Sequence, residues 1–331
     1  MLRTKIVSTG FYVPERVITN FDLMQWMDTS DEWIRQRSGI AERRWVENGV
    51  GSSDLAKMAA ERALERAGLA AGDLDCLILA TLSPDHYFPG SGVFLQRKLG
   101  INGIPCLDVR NQCSGFLYGL SVADAWIRVG MYERILLVGA EVHSTGLEKT
   151  TAGRDTAVLF GDGAGAVILE SSEDDGRGVL SVRIHADGRH AEKLWVDAPG
   201  SSYNPWLVAE QIEEGLTRPC MEGREVFKHA IVRMPEAIHE VLGASALTVD
   251  DLDIVIPHQA NQRITQAVQK QLGLPDEKIV SNIHKYGNTT AASIPIALHE
   301  AVEEGRIKQG DLVCLTAFGS GFTWGAALIR W

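Results

Sequence analysis

The sequence has only five cysteines, Cys76, Cys106, Cys113, Cys220 and Cys314, with no CxxC pair among them and an odd one left over. That spacing gives neither a disulfide framework nor a zinc site, and the compartment it implies is reducing. No apolar run approaches the length of a membrane span, and the residues from Met1 to Val7 lead into a strand-like pattern without a signal-peptide core. The expected location is cytoplasmic, with no membrane insertion. Low-complexity segments are also missing. Basic residues are in the minority, 32 Lys and Arg against 43 Asp and Glu, for a formal net charge of -11. This balance argues against nucleic-acid binding and leaves room for a local basic patch.

What remains is a chain of 331 residues, long enough for two packed domains or for one core built from two related halves. Compared with itself, it echoes. A helix-like run from Ala60 to Leu69 is followed by Asp73-Leu74-Asp75 and the apolar strand Cys76 to Ala80. A second run, from Pro235 to Gly243, is followed by Asp251-Leu252-Asp253 and the strand Ile254 to Pro257. Further on, a helix from Cys113 to Gly130 leads to the strand Arg134 to Ala140, and a helix from Asn288 to Gly305 leads to Asp311 to Gly319. Four matches in one order indicate duplication, with halves at 1–170 and 171–331. Strands alternating with helices predict an α/β fold of parallel sheets with helices on their faces. Ligands of such sheets bind beyond the carboxyl ends of the strands.

Cys113 stands between the short apolar run Ile104 to Val109 and apolar positions Phe116, Leu120, Ala123 and Ile127, which recur at helical spacing. On residue type alone it reads as a small buried hydrophobe. At a helix start it faces unpaired N–H groups and the positive end of the dipole, which favours thiolate and makes a nucleophile. His258 follows the strand Ile254 to Pro257, where a histidine is either structural or catalytic. Asn288, after Gly287, reads by itself as a helix N-cap. Cysteine, histidine and asparagine together suit acyl transfer through a thioester.

Two glycine-rich stretches accompany them. Phe318-Gly319-Ser320-Gly321 ends a strand, where glycines bring backbone N–H groups close to a ligand. Phe160-Gly161-Asp162-Gly163-Ala164-Gly165 is not a nucleotide fingerprint, because the strand-like Ala166 to Leu169 follows it rather than a helix.

With these residues assembled, the whole chain resembles the β-ketoacyl-acyl carrier protein synthase III family of thiolase-fold condensing enzymes. The resemblance rests on Thr29-Ser30-Asp31-Glu32-Trp33-Ile34, Cys113-Ser114-Gly115-Phe116, Phe160 to Gly165, His258-Gln259-Ala260-Asn261, Gly287-Asn288-Thr289 and Gly321-Phe322-Thr323-Trp324-Gly325. It implies a five-layered αβαβα fold and a homodimer that uses no metal or redox cofactor. By similarity, Cys113 takes the acyl group from an acyl-CoA primer, and malonyl-acyl carrier protein condenses with it after losing CO2. His258 and Asn288 would hold the developing enolate, and the N–H groups of Cys113 and Ser320 would form the oxyanion hole.

The same resemblance assigns Trp33 and Arg37 to the two faces of the CoA adenine, Thr29 and Arg154 to further nucleotide contacts, and Gly223 and Asn261 to the pantetheine arm. Phe88 would reach into the partner subunit's acyl pocket, and Lys228, Arg263 and Lys270 would dock the acidic carrier protein. Three departures from the family pattern stand out. Ser320 replaces a glycine or alanine, which restricts a backbone angle. Asn111-Gln112 precede the cysteine in place of small apolar residues. The stretch from Pro199 to Cys220 is longer than usual by roughly a dozen residues, with a short helix expected over 206–212, and long ordered loops of this kind act as lids or binding loops. Other readings of the chain are a synthase-III-like acyltransferase of a secondary pathway with a different acceptor, and a non-catalytic acyl-CoA-binding regulator.

Overall fold

The computed structural model describes residues 2–173 and 176–331. Two sheets carry the chain. The first has the strand order Leu2–Tyr12, Gly163–Glu173, Arg134–Glu141, Cys76–Ala80, Cys106–Val109, and the second the order Ile254–Pro257, Leu312–Gly319, Thr323–Arg330, Gly178–Ala186. The strand Gly163–Glu173 runs three residues beyond the expected boundary at 170 and belongs to the first sheet.

The sheets are mixed, which corrects the expectation of parallel ones. In the first, Cys76–Ala80 pairs in parallel with both Cys106–Val109 and Arg134–Glu141, whereas Gly163–Glu173 is antiparallel to both of its neighbours. In the second, only Ile254–Pro257 and Leu312–Gly319 are parallel. The reason is chain length: Leu312–Gly319 and Thr323–Arg330 are joined by Ser320 to Phe322 alone, too few residues for the crossover that a parallel pair requires.

Alternation along the strands builds five layers. Cys76, Ile78, Ile135 and Leu137 of the first sheet and Val313, Leu315 and Ala317 of the second point into one buried core around helices Gly115–Arg128 and Ser293–Glu303. The opposite-facing Leu77, Leu79, Leu136 and Val138 pack under helix Ser52–Ala67. Leu312, Cys314 and Leu328 pack under helices Gly223–Gly243 and Gln262–Leu272. A period-two pattern with both faces apolar is what sheets covered on both sides need. Helix Gly223–Gly243 starts twelve residues before the expected Pro235 and carries that proline, buried, in its interior. Burial of Ala230, Met234 and Ala237 on one face keeps the helix continuous across a residue that removes one backbone donor.

Where glycine was expected to serve close packing, it does so. A Cβ at Gly165 would lie 2.7 Å from the Pro295 Cβ and 2.8 Å from the Ile296 nitrogen, so the strand can approach helix Ser293–Glu303 only without a side chain there. Residues 196–219 form an arm closed at its base by the pairing of Leu194–Trp195 with Cys220–Met221. Its helix covers Ala209–Glu213, a little later than expected. The arm reaches the first half at an Arg218–Glu148 ion pair of 3.0 Å and at Tyr87.

Candidate active site

Cys113 lies in a short 3-10 turn, Gln112–Ser114, that feeds directly into helix Gly115–Arg128. The residue before it, Gln112, has φ +44°, a left-handed conformation that costs a non-glycine residue about 1–3 kcal/mol. The strand end at Gly319 packs straight against the nucleophile: a Cβ there would sit 2.9 Å from Cys113 Cβ and 3.1 Å from its nitrogen. Ser114 Oγ shares a 2.7 Å hydrogen bond with Thr323 Oγ1, which fastens this turn to the following strand. The positive φ in the glycine loop falls on Gly321 (+125°) and not on Ser320, so serine at 320 carries no backbone strain.

His258 follows strand Ile254–Pro257 and is 2% exposed. Its Nδ1 is 2.6 Å from Ser293 Oγ at the start of helix Ser293–Glu303, and its Nε2 is buried without a protein partner. Burial pushes its pKa down to about 3, so the ring is neutral. Asn288 is fixed by backbone bonds to Leu159 and Gly161. Its Oδ1 accepts the Thr290 N–H at 2.9 Å. A backbone N–H can only donate, so the oxygen of the Asn288 amide is committed and its NH2 is the free end. Thr290, two residues on, is again left-handed at φ +41°.

All three residues line one cavity of about 1000 Å³, the size of a large ligand site. Gly319, Ser320 and Gly321 line it too, as do Trp33, Arg37, Gly223, Asn261 and Arg263. Thr29, Arg154, Phe88, Lys228 and Lys270 do not. Phe88 is 73% exposed and its neighbour Tyr87 is on the wall instead. Arg154 sits at the rim, 4.6 Å from the Trp33 ring, and donates to the Asp28 carbonyl. Thr29 Oγ1 is buried without a partner.

One expectation needs correction. The thiol of Cys113 is not lowered: burial and the charge of Glu141 push it up to about 12, outweighing the helix start. At the expected adenine position the Arg37 guanidinium lies 4.5 Å from the Trp33 ring centroid, so the two side chains are in contact with each other. Helix Asp31–Ser38, capped by Ser30 and by Gly39 at φ +82°, places these two side chains one turn apart. Asn261 has a second task, since it caps helix Gln262–Leu272 and bonds the Arg37 carbonyl at 2.9 Å.

The cavity also includes Leu82, Arg110, Gln112, His143, Arg224 and, from the arm, Pro199 and Pro219, none of which was singled out as a site residue. His143 follows the strand Arg134–Glu141 just as His258 follows its own, and that shared signal would have found it. It bonds Thr290 Oγ1 at 3.0 Å, and burial lowers its pKa to about 4. Among the described residues no three His, Cys, Asp or Glu side chains form a metal-binding group, and no helix is long and apolar enough to cross a membrane.

Known proteins match this chain over its whole length. The family models for 3-oxoacyl-[acyl-carrier-protein (ACP)] synthase III match residues 107–188 and, as its C-terminal part, 242–331. The chain is 46% identical over 331 residues to β-ketoacyl-[acyl-carrier-protein] synthase III of Rhizorhabdus wittichii, covering 100% of both chains. The chain belongs to the β-ketoacyl-acyl carrier protein synthase III family. A second synthase III, from Rhizobium rhizogenes, is 47% identical over 335 residues with 100% of both covered. The crystal structure of the Aquifex aeolicus synthase III superposes with a TM-score of 0.91 at 44% identity, covering 99% of this chain and 100% of that one. The five layers described above are the thiolase fold of this synthase III family.

Proposed function

We propose that the chain starts fatty acid synthesis by condensing an acyl-CoA primer with malonyl-acyl carrier protein through an acyl-Cys113 intermediate. The observation that carries this is a cysteine, an unpartnered histidine nitrogen and an asparagine NH2 lining one cavity. In the first step the Cys113 sulfur bonds the primer carbonyl and the CoA–carbonyl bond breaks. The thiol proton leaves with the CoA sulfur, which suits a cysteine that is protonated at rest. The N–H groups of Cys113 and Ser320 serve the tetrahedral oxyanion.

In the second step malonyl-acyl carrier protein loses CO2, and the electron pair of the broken bond becomes an enolate. Ser293 Oγ already accepts the Gln259 N–H at 3.3 Å and turns its own hydrogen to His258 Nδ1. That leaves the imidazole hydrogen on Nε2, facing the cavity as a donor. Nε2–H and the Asn288 NH2 then hold the enolate oxygen while the carbanion attacks the acyl group, and the released Cys113 thiolate takes a proton from solvent. Each such donor is worth about 100- to 1000-fold in rate.

The supporting parts follow the same reading. Trp33, Arg37, Thr29 and Arg154 receive the nucleotide, which parts the Arg37–Trp33 contact, and Gly223 and Asn261 line the pantetheine arm. Arg263 and Lys270, seven residues apart on helix Gln262–Leu272, and Lys228 on the neighbouring helix make the carrier-protein patch. The homodimer is supported by the edge strand Cys106–Val109 and the exposed Phe88, which belongs in the partner's acyl pocket. The enzyme works in the cytoplasm without a metal or redox cofactor. Pro199 and Pro219 of the arm on the cavity wall support a primer longer or more branched than acetyl.

Intact mass after incubation with a panel of acyl-CoAs, with Cys113→Ala as control, tests the proposal. An adduct that requires Cys113 and is discharged by malonyl-acyl carrier protein is the expected result. An adduct that malonyl-carrier leaves untouched points to another acceptor, and no adduct with any primer overturns the acyl-transfer reading.

A further inference from the structure

The mechanism leaves one buried charge unused. Glu141, the last residue of strand Arg134–Glu141, is 0% exposed and lies where the two halves meet. From the first half its carboxylate accepts Ser83 Oγ at 2.6 Å, Ser83 N at 3.2 Å, and Leu82 N and Thr81 Oγ1 at 3.3 Å. From the second half it accepts the Thr290 hydroxyl and the Ala291 N–H. The strand behind it is pressed against the same turn, since a Cβ at Gly139 would collide with the Ala291 carbonyl at 2.3 Å. Each tied segment reaches the reaction cavity: Leu82 and Thr290 line it, and Thr290 N holds the Asn288 amide in orientation.

We propose that Glu141 is a positioning residue for the condensation, tying the loop after strand Cys76–Ala80 to the turn after Asn288 and standing as a buried negative charge beside Cys113. A carboxylate is suited to this task because only an acceptor can serve three backbone N–H groups and the hydroxyls at once. An unmade bond at each of those N–H groups would cost the desolvation of a buried donor. The role rests on Cys113 being the nucleophile of the proposed reaction.

The groups facing Glu141 are few. His143 Nε2 is 4.0 Å away, and that ring is neutral. The strand Gly163–Glu173 presents Gly163 opposite it, and the nearby Asp162 spends its oxygens on Val46, His143 and Ser144. The loop after Cys76–Ala80 and the 290–291 turn offer only hydroxyls and N–H groups. The turn Gln112–Ser114 packs against the same 290–292 turn that Glu141 holds, and a Cβ at Gly115 would lie 3.6 Å from the Ala291 Cβ. That makes Cys113 the remaining titratable neighbour among the described residues, and the charge of Glu141 raises its pKa. Burial in turn lifts Glu141 itself to about 7, so its charge appears as pH rises through neutrality.

The test is alkylation of Cys113 by iodoacetamide in full-length wild type and Glu141→Gln, read on the Cys113 peptide by mass spectrometry between pH 6 and 9. Glutamine keeps the size and removes the charge. Near pH 6, where Glu141 is protonated, the two rates should agree. By pH 8.5 the variant should react about tenfold faster, the effect of one pKa unit on the thiolate fraction. A rate ratio that stays constant with pH would mean packing alone and overturns the charge role. Condensation per acyl-enzyme should fall in Glu141→Gln with the KM for acyl-CoA unchanged; an undiminished rate overturns the positioning role. The alkylation arm needs no acyl-CoA, so failure of the condensation proposal would not disguise its outcome.

Discussion

Trp206 packs on Tyr87 with ring centroids 4.5 Å apart and planes at 45°, joining the 196–219 arm to the loop after strand Cys76–Ala80. Tyr87 lines the reaction cavity; Trp206 stands behind it. An indole behind a tyrosine limits how far that tyrosine can swing outward, and so limits the length of acyl chain the cavity accepts. Trp206→Ala should therefore raise acylation by long-chain relative to short-chain acyl-CoAs by about tenfold, the worth of one or two buried methylene groups at ~0.8 kcal/mol each. Rates of Cys113 acylation across acetyl- to dodecanoyl-CoA check this. Trp206→Phe should keep most of the wild-type profile, and an equal loss for every primer would reduce Trp206 to a stability residue.

Arg37 and Arg154 both lie against Trp33, at 4.5 and 4.6 Å from its ring. A nucleotide that stacks on the indole must displace a guanidinium, exchanging one cation–π contact worth about 0.5–2 kcal/mol for another stacking contact. Trp33→Ala should raise the KM for acyl-CoA about tenfold and leave acylation by a short acyl-pantetheine thioester unchanged. Steady-state kinetics with the two donors separate the cases; equal losses with both would remove Trp33 from nucleotide binding.

Ser293 is the residue through which His258 is oriented, at 2.6 Å from Nδ1. Ser293→Ala leaves a buried imidazole nitrogen unpaired, at a cost of about 1–3 kcal/mol, and frees the ring to place its hydrogen on Nδ1. Malonyl decarboxylation should slow on the order of ten- to a hundredfold while the acyl-enzyme still forms. Because burial holds the His258 pKa near 3, the wild-type decarboxylation rate should show no limb at the ordinary histidine value of 6.5. A limb there that vanishes in His258→Gln would contradict the neutral-donor role.

Much of this arrangement is legible in the sequence. The positions of Cys113 and His258 after strands, and of Asn288 after the break at Gly287, follow from local patterns, because each apolar run and each glycine break is written within ten residues. The five layers follow from strands apolar on both faces, such as Cys76–Ala80. What local pattern does not carry is long-range. Glu141 looks like the polar end of a strand until residues 81–83 and 290–291 close around it. The left-handed Gln112 precedes a cysteine packed directly against Gly319, some two hundred residues away, and the Cys113 thiol is raised by burial and by the charge of Glu141. Pro235 reads as a helix start from its own chemistry, yet the face that it shares with Met234 and Ile238 is covered by the second sheet and the helix continues through it.

Cys314 offers a test of burial that is independent of catalysis. It sits in strand Leu312–Gly319, 0% exposed, and burial raises its pKa from 9.0 to about 12. A thiol whose folded pKa lies above its unfolded one contributes stability that is complete below pH 9. Between pH 9 and 12 the unfolded chain gives up the proton and the folded one keeps it, so that contribution declines as pH rises. Cys314→Ala removes this one group and leaves the other thiols in place. The variant should be less stable than wild type at pH 8, and the gap should narrow above pH 9 by up to about 1.4 kcal/mol per pH unit. Urea unfolding of both proteins at pH 8, 9.5 and 10.5 measures it; parallel stability curves would mean that Cys314 ionises as readily in the folded chain as in the unfolded one.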